Sequence, residues 1–271
     1  MTPPLVPLDS VHTALLDAVV GAAEDTAALL RDLPDTGAPI PGAQWTVGEA
    51  AAHLALVNEL MADLAAGGQQ TYGDGTPGSL AAANEVALAA FPERNAAVLA
   101  EAIVRHARAF TEACADRAAS EPVLTPLGPM DLDTFASYLL THILGHGYDL
   151  AVALRRPHMV DRHRVELTLP FLMAVMPRVL DARTSAGHTA CYDLRLRGGS
   201  RFTVTFRDGA VEVSPGPAAR PDCTILTEPV AFLLLALGRC NPLAALARGK
   251  VLAWGRRPWL ALGFPLLFKA P

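Results

Sequence analysis

Thr141-His142-Ile143-Leu144-Gly145-His146-Gly147-Tyr148-Asp149 sets two histidines four residues apart in a stretch of helical pattern. On an α-helix that spacing stacks both imidazoles on one face, separated by about 6 Å of rise and about 40° of rotation. Rings so placed can converge on one ion, each through a nitrogen about 2.0–2.1 Å from it. Two ligands do not make a site, so a third must come from elsewhere. Gly145 and Gly147 flank His146, and each costs a helix interior up to about 1 kcal/mol relative to Ala. Such glycines allow close approach of a neighbouring helix or of a ligand. Asp149, three residues after His146, can orient a histidine as an acceptor or simply bind water.

The chain holds eight histidines, at positions 12, 53, 106, 142, 146, 158, 163 and 188. His53 stands out, because Thr46 and Glu49 have the S/T-x-x-E spacing of a capping box and start a helix that carries His53 in its second turn. Val47, Leu54, Val57 and Met61 give that helix a core-facing side, and His53 falls close enough to it to point inward. For Glu49 capping alone is the simpler role, with outer support of a metal ligand the alternative. His106, beside Arg105 and Arg108, reads as a residue of a solvated face.

Working outward, Ala- and Leu-rich stretches punctuated by Pro and Gly predict helices at roughly 8–33, 46–66, 79–117 with a break near Pro92, and 131–155. They read as an antiparallel four-helix bundle over residues 1–160. A helical linker follows over 161–188, kinked or split by Pro170 and Pro177. After residue 190 the texture changes. Tyr192–Leu196, Arg201–Phe206 and Ala210–Val213 alternate as strands, with turns at Gly198-Gly199 and Asp208-Gly209. A strand at Cys223–Leu226, helices at 229–237 and 242–247, a strand near Val251 and a last helix from Pro258 complete a small α+β domain over 189–271 with an antiparallel sheet.

Composition excludes several classes. At 51% hydrophobic content the chain has ample material for a core, which argues against disorder. The net charge of −5 and the absence of a Lys/Arg run argue against a nucleic-acid surface. The first basic residue is Arg31 and no apolar run is long enough to span a bilayer, so the sequence reads as a cytoplasmic protein. Cys114, Cys191, Cys223 and Cys240 are dispersed, which favours reduced, packing thiols.

These residues resemble a known family. Residues 1–160 are similar to the DinB-like helical bundles, above all the mycothiol-dependent maleylpyruvate isomerase group, in which W-(S/T)-x-x-(D/E)-x-x-x-H opens the second helix; Trp45, Thr46, Glu49 and His53 fit it. The group's other two ligands form a four-residue pair on the fourth helix followed by Asp, matched by His142, His146 and Asp149. The isomerases place Glu where this chain has His142, whereas a three-histidine set is common among DinB-like relatives. The last 80 or so residues resemble a sterol carrier protein type 2-like domain, through Asp208-Gly209, Asp222-Cys223-Thr224-Ile225, the 232–238 helix and Gly249-Lys250-Val251 with Gly255. The resemblance also implies an active-site arginine in a Gly-Arg step, with Arg239 the best fit and Arg256 the fallback. Arg239 could equally serve only the carbonyls at its helix end.

The combined expectation is a metal-dependent enzyme. His53, His142 and His146 hold a divalent metal, Zn(II) suiting three imidazoles, with Fe(II) or Ni(II) as alternatives. Three protein ligands leave an open position for a low-molecular-weight thiol, which the resemblance identifies as mycothiol, acting on an electrophilic small molecule. Arg239, or Arg256, pairs with an anion of substrate or thiol cofactor, so that the site would lie in the cleft between domains. The outcome is S-transfer or thiol-assisted isomerisation, in catabolism or in a biosynthetic pathway. Two other readings are a noncatalytic carrier of an apolar ligand in the second domain and a thiol-independent metalloenzyme.

Overall fold

Thr46 and Glu49 close a reciprocal capping box: Glu49 N–H donates to Thr46 Oγ1 at 3.3 Å, and Thr46 N–H donates to Glu49 Oε2 at 2.7 Å. Helix α2 (Val47–Ala65) starts there. The computed structural model describes residues 8–70 and 72–269, so the N-terminal stretch read for targeting lies outside the described residues. The chain divides into two compact units, residues 1–160 and 161–271.

The first unit contains α1 (Leu8–Leu30), α2, α3 (Pro77–Ala90), α4 (Ala96–Cys114), a hairpin of β1 (Pro122–Thr125) and β2 (Gly128–Asp131), and α5 (Leu132–Ala153). The single broken helix expected over 79–117 is two helices. Phe91 and Pro92 end α3, and the Asn95 side chain accepts from Ala97 and Val98 N–H to begin α4. Helices α1, α4, α2 and α5 close a four-membered ring of contacts, while α3 touches α2. Helix directions follow from paired residues. His12 lies by Cys114 and Glu24 by Arg108, so α1 and α4 run oppositely. Asn58 donates to Ile103 O, and Arg117, just past α4, donates to Ala65 O, so α2 and α4 run together. The crossover over residues 66–95, with α3 inside it, makes that parallel step possible. No sequence signal marked β1–β2, whose turn is held by Thr125 Oγ1 donating to Gly128 O at 2.7 Å with Gly128 at φ 90°.

The second unit opens with α6 (Arg162–Val175), which contains Pro170, and a 3-10 turn (Met176–Arg178). Strands β3 (Ala190–Leu196), β4 (Arg201–Arg207), β5 (Ala210–Pro215), β6 (Cys223–Thr227) and β7 (Val251–Trp254) form one sheet in the order β5-β4-β3-β6-β7. The sheet is not wholly antiparallel: β3 and β6 pair in parallel, Tyr192 with Cys223 and Leu196 with Thr227. Helices α7 (Pro229–Ala236), α8 (Pro242–Ala247) and α9 (Leu260–Gly263) with a final 3-10 turn (Phe264–Leu267) complete the unit. One sheet face carries buried Tyr192, Phe202 and Phe206. Phe232, Phe264 and Phe268 pack on it with ring centroids 4.8–6.1 Å from these three. All four cysteines are free. No described helix is long and apolar enough to cross a membrane.

Candidate metal centre

His53 is brought to the bundle interior by the register that the capping box sets. It sits seven positions after the N-cap, in a helix whose inward positions Val47, Ala51, Leu54 and Met61 are buried. His142 and His146 come from α5, whose start is fixed by Asp131 accepting from Thr134 N–H at 2.7 Å. The three imidazoles meet. His53 Nε2 and His142 Nε2 stand 3.0 Å apart, and one ligand atom from each of the three residues lies within 4.8 Å of the others. Ring centroids are 4.6–5.0 Å apart with interplanar angles of 61–76°, so the rings fan around a common point rather than stacking.

This donor set fits a divalent cation. Nitrogens about 2.05 Å from a tetrahedral ion stand roughly 3.3 Å apart, close to the observed His53–His142 separation. Burial, and the proximity of His146, push the His53 pKa well below its ordinary value, so its ring is neutral and keeps a lone pair to donate. His53 is buried, whereas His142 and His146 are half-buried.

The other expected residues divide between the units. Asp149 Oδ2 lies 3.6 Å from His146 Nδ1, near it but beyond hydrogen-bond reach. Glu49 turns its carboxylate to Thr46, whose backbone N–H lowers its pKa, and serves the helix cap. Arg239 and Arg256 belong to the second unit. Gly238 at φ 70° ends α7 in a Schellman motif, with Arg239 N–H donating to Leu234 O and Gly238 N–H to Leu235 O. The Arg239 guanidinium donates to Leu237 O, and Arg256 pairs with Asp222 at 2.8 Å.

Trp45 joins the site; the sequence marked it only as the first residue of the family pattern that ends in His53 and gave it no role there. Its ring lies 4.8 Å from His53 and 5.9 Å from His146, walling the cluster. A clip of backbone bonds holds it there: Ile40 N–H donates to Trp45 O, Val47 N–H to Ala38 O and Gly48 N–H to Thr36 O. Gly48 is required for that clip, since a Cβ would come within 2.8 Å of Thr36 Oγ1. Gly147 answers the question of close approach. A Cβ there would meet Thr26 Oγ1 at 2.7 Å and Met159 Sδ at 2.9 Å, so it admits protein rather than a ligand.

With this geometry in place, residues 19–151 match the family described as Mycothiol maleylpyruvate isomerase N-terminal domain, and residues 177–255 match the SCP-2 sterol transfer family. No curated protein matches the chain in sequence. Among solved structures, a histidine-to-alanine mutant of the mycothiol-dependent maleylpyruvate isomerase aligns over 92% of this chain and 93% of its own, with TM-score 0.54 and 15% identity. A second crystal structure of the mycothiol-dependent maleylpyruvate isomerase aligns over the same shares with TM-score 0.50 and 14% identity. The sec-alkylsulfatase Pisa1 from Pseudomonas sp. aligns with 52% of this chain at TM-score 0.34 and 13% identity, and this chain spans 25% of its length. At these identities the likeness to the isomerase structures is one of fold.

Proposed function

Residues 19–151 belong to the mycothiol maleylpyruvate isomerase N-terminal domain family and residues 177–255 to the SCP-2 sterol transfer family, and on that premise we propose that the protein is a metal-dependent, mycothiol-using enzyme. The observation that carries the proposal is the meeting of His53, His142 and His146, drawn from two helices and 89 residues apart in the case of His53 and His142. These three hold a divalent metal, Zn(II) by the chemistry of an all-imidazole set. Bound there, the cation would lower the pKa of a thiol and supply thiolate at neutral pH.

The chain's own residues shape the rest. Trp45 limits water on one side of the cluster, and Asp149, 3.6 Å from His146, is placed to accept from its ring when the site closes on a metal. The thiolate attacks an electrophilic carbon of a small molecule. In isomerisation it would add to a conjugated double bond to give an enolate, rotation about the new single bond would follow, and elimination would expel the thiolate again; in S-transfer the enolate would take a proton from water and the conjugate would be released. With His142 where the isomerases carry Glu, all three protein donors are neutral, and we favour S-transfer or a biosynthetic tailoring reaction over maleylpyruvate isomerisation.

Metal analysis of the purified protein tests the proposal. One divalent ion per chain is expected, lost on dialysis from His53→Ala, and calorimetry with mycothiol should give binding heat only in the metal-loaded protein. A metal-free protein that His53→Ala leaves unchanged overturns the metal site. Metal without a mycothiol signal overturns the thiol dependence alone.

A further inference from the structure

Helix α5 is buried along almost its whole length, and the exceptions fall on one stripe. From Thr134 to Gly147 every residue is buried except Tyr138, His142 and His146, which are half-buried. Spaced by four, they share one face, and half-buried Asp149 continues it. Helical side chains lean toward the N-terminus alike, so Tyr138 keeps its place beside His142, one turn and about 6 Å of rise further from Asp149. The large buried side chains of this stretch, Phe135, Leu139, Leu140, Ile143 and Leu144, are all apolar. A phenol on the accessible stripe, next to two metal-binding imidazoles, is therefore a polar group set apart from the packing.

The ends of the stripe differ in kind. Burial pushes the Tyr138 pKa up, with a further push from nearby Tyr72, so the phenol holds its proton at neutral pH and acts as a donor. Tyr72 comes from the crossover before α3, and its hydroxyl donates to Asn84 Oδ1 at 2.6 Å, which spends its proton within its own segment. At the other end Asp149, when ionised, can only accept. A small molecule lying along the stripe is thereby oriented. An oxygen that gains negative charge belongs at the Tyr138 end, away from the Asp149 carboxylate.

We propose that Tyr138 is a catalytic residue that donates a hydrogen bond to the carbonyl oxygen of the electrophile as thiolate adds, an inference that rests on the thiol-using reading above. The thiolate sulfur bonds to the carbon conjugated with the carbonyl, and the electron pair of the C=C bond shifts until the charge stands on oxygen. The Tyr138 O–H holds that oxygen and keeps its own proton. The charge then returns to sulfur on elimination, or to the α-carbon, which takes a proton from water. A donor fixed where charge develops favours the transition state over the ground state. The carbonyl oxygen lies beyond the carbon under attack, so its donor belongs a turn away from the imidazoles and not among them. The same placement makes Tyr138 select electrophiles conjugated to a carbonyl over simple alkyl halides.

Calorimetry of the metal-loaded full chain with two mycothiol conjugates tests it. S-(2-carboxyethyl)mycothiol sets a carboxylate oxygen where the enolate oxygen would form, and S-propylmycothiol is its apolar counterpart. Tyr138→Phe should weaken binding of the carboxyethyl conjugate about 10–100-fold, the range for a lost hydrogen bond to a charged group, and leave the propyl conjugate and the metal content as in wild type. Tyr72→Phe should leave both conjugates bound as in wild type. A Tyr138→Phe variant that binds the carboxyethyl conjugate undiminished, or that loses both conjugates alike, overturns the proposal, as does a wild type that binds the propyl conjugate alone. A wild type that holds metal but binds neither conjugate overturns the thiol reading itself, and this proposal with it.

Discussion

His53, Trp45 and Thr46 show how much one residue decides. Thr46 terminates a helix-entering loop and, through the capping box, fixes which side of α2 faces inward; Thr46→Ala should cost about 1 kcal/mol and lower the melting temperature by about 2–4 °C. The Glu49 carboxylate adds a pH dependence of definite sign. The Thr46 backbone N–H holds its folded-state pKa below the ordinary value of 4.5, so its contribution is present at neutral pH and is lost as pH falls through the folded-state value. Glu49→Gln should flatten the acid limb of stability against pH, a comparison that urea titrations at several acidic pH values would make. Trp45 offers a direct reporter of the site. Adding Zn(II) to metal-stripped protein should change tryptophan emission, and Trp45→Phe should abolish the change, since the ring lies 4.8 Å from His53.

Among elements, α5 does most to bring the site together, and its packing turns on Gly147. Replacing it with Ala gains up to about 1 kcal/mol of helix propensity but forces a methyl within 2.7 Å of Thr26 Oγ1 on α1, an overpacking that costs about 1–3 kcal/mol. The balance is a net loss of about 1 kcal/mol, which Thr26→Ala in the same chain should partly restore; a double-mutant cycle of unfolding free energies measures the coupling. Helix α5 was legible in the sequence because its periodicity, its Asp131 cap and its histidine pair are local signals. The β1–β2 hairpin was not, because Pro122, Gly128 and Pro129 are weak strand formers and the Thr125 side chain that closes the turn carries no distinctive spacing. The separation of α3 from α4 was half-legible: Pro92 marked the break, while only the Asn95 cap located where helix resumes.

At the scale of the whole molecule, two units carry two separate kinds of polar organisation. The first unit gathers three imidazoles, and the second buries a carboxylate. Asp193 on β3 is fully buried, and its Oδ2 accepts from Arg195 at 2.7 Å and from Arg201 at 2.9 Å. Removing that charge leaves two guanidiniums that are each about a third exposed and can turn to water, so Asp193→Asn should cost about 1–3 kcal/mol rather than the full penalty of a buried pair. Metal content should stay unchanged, a result that elemental analysis beside a denaturation curve would show. The sequence by itself determined most of the helices, the strands of the second unit and the pairing of His142 with His146, because caps, turn residues and periods of 3.6 and 2 act over a few residues. It also marked His53, through a capping box and a recognisable spacing. Tertiary structure alone decided that His53 meets the pair across 89 residues, that Trp45 walls the cluster, that α2 and α4 run together and that β3 pairs in parallel with β6. Each of these is a contact between segments far apart in the chain, fixed by which faces can bury one another, and no local spacing encodes that choice.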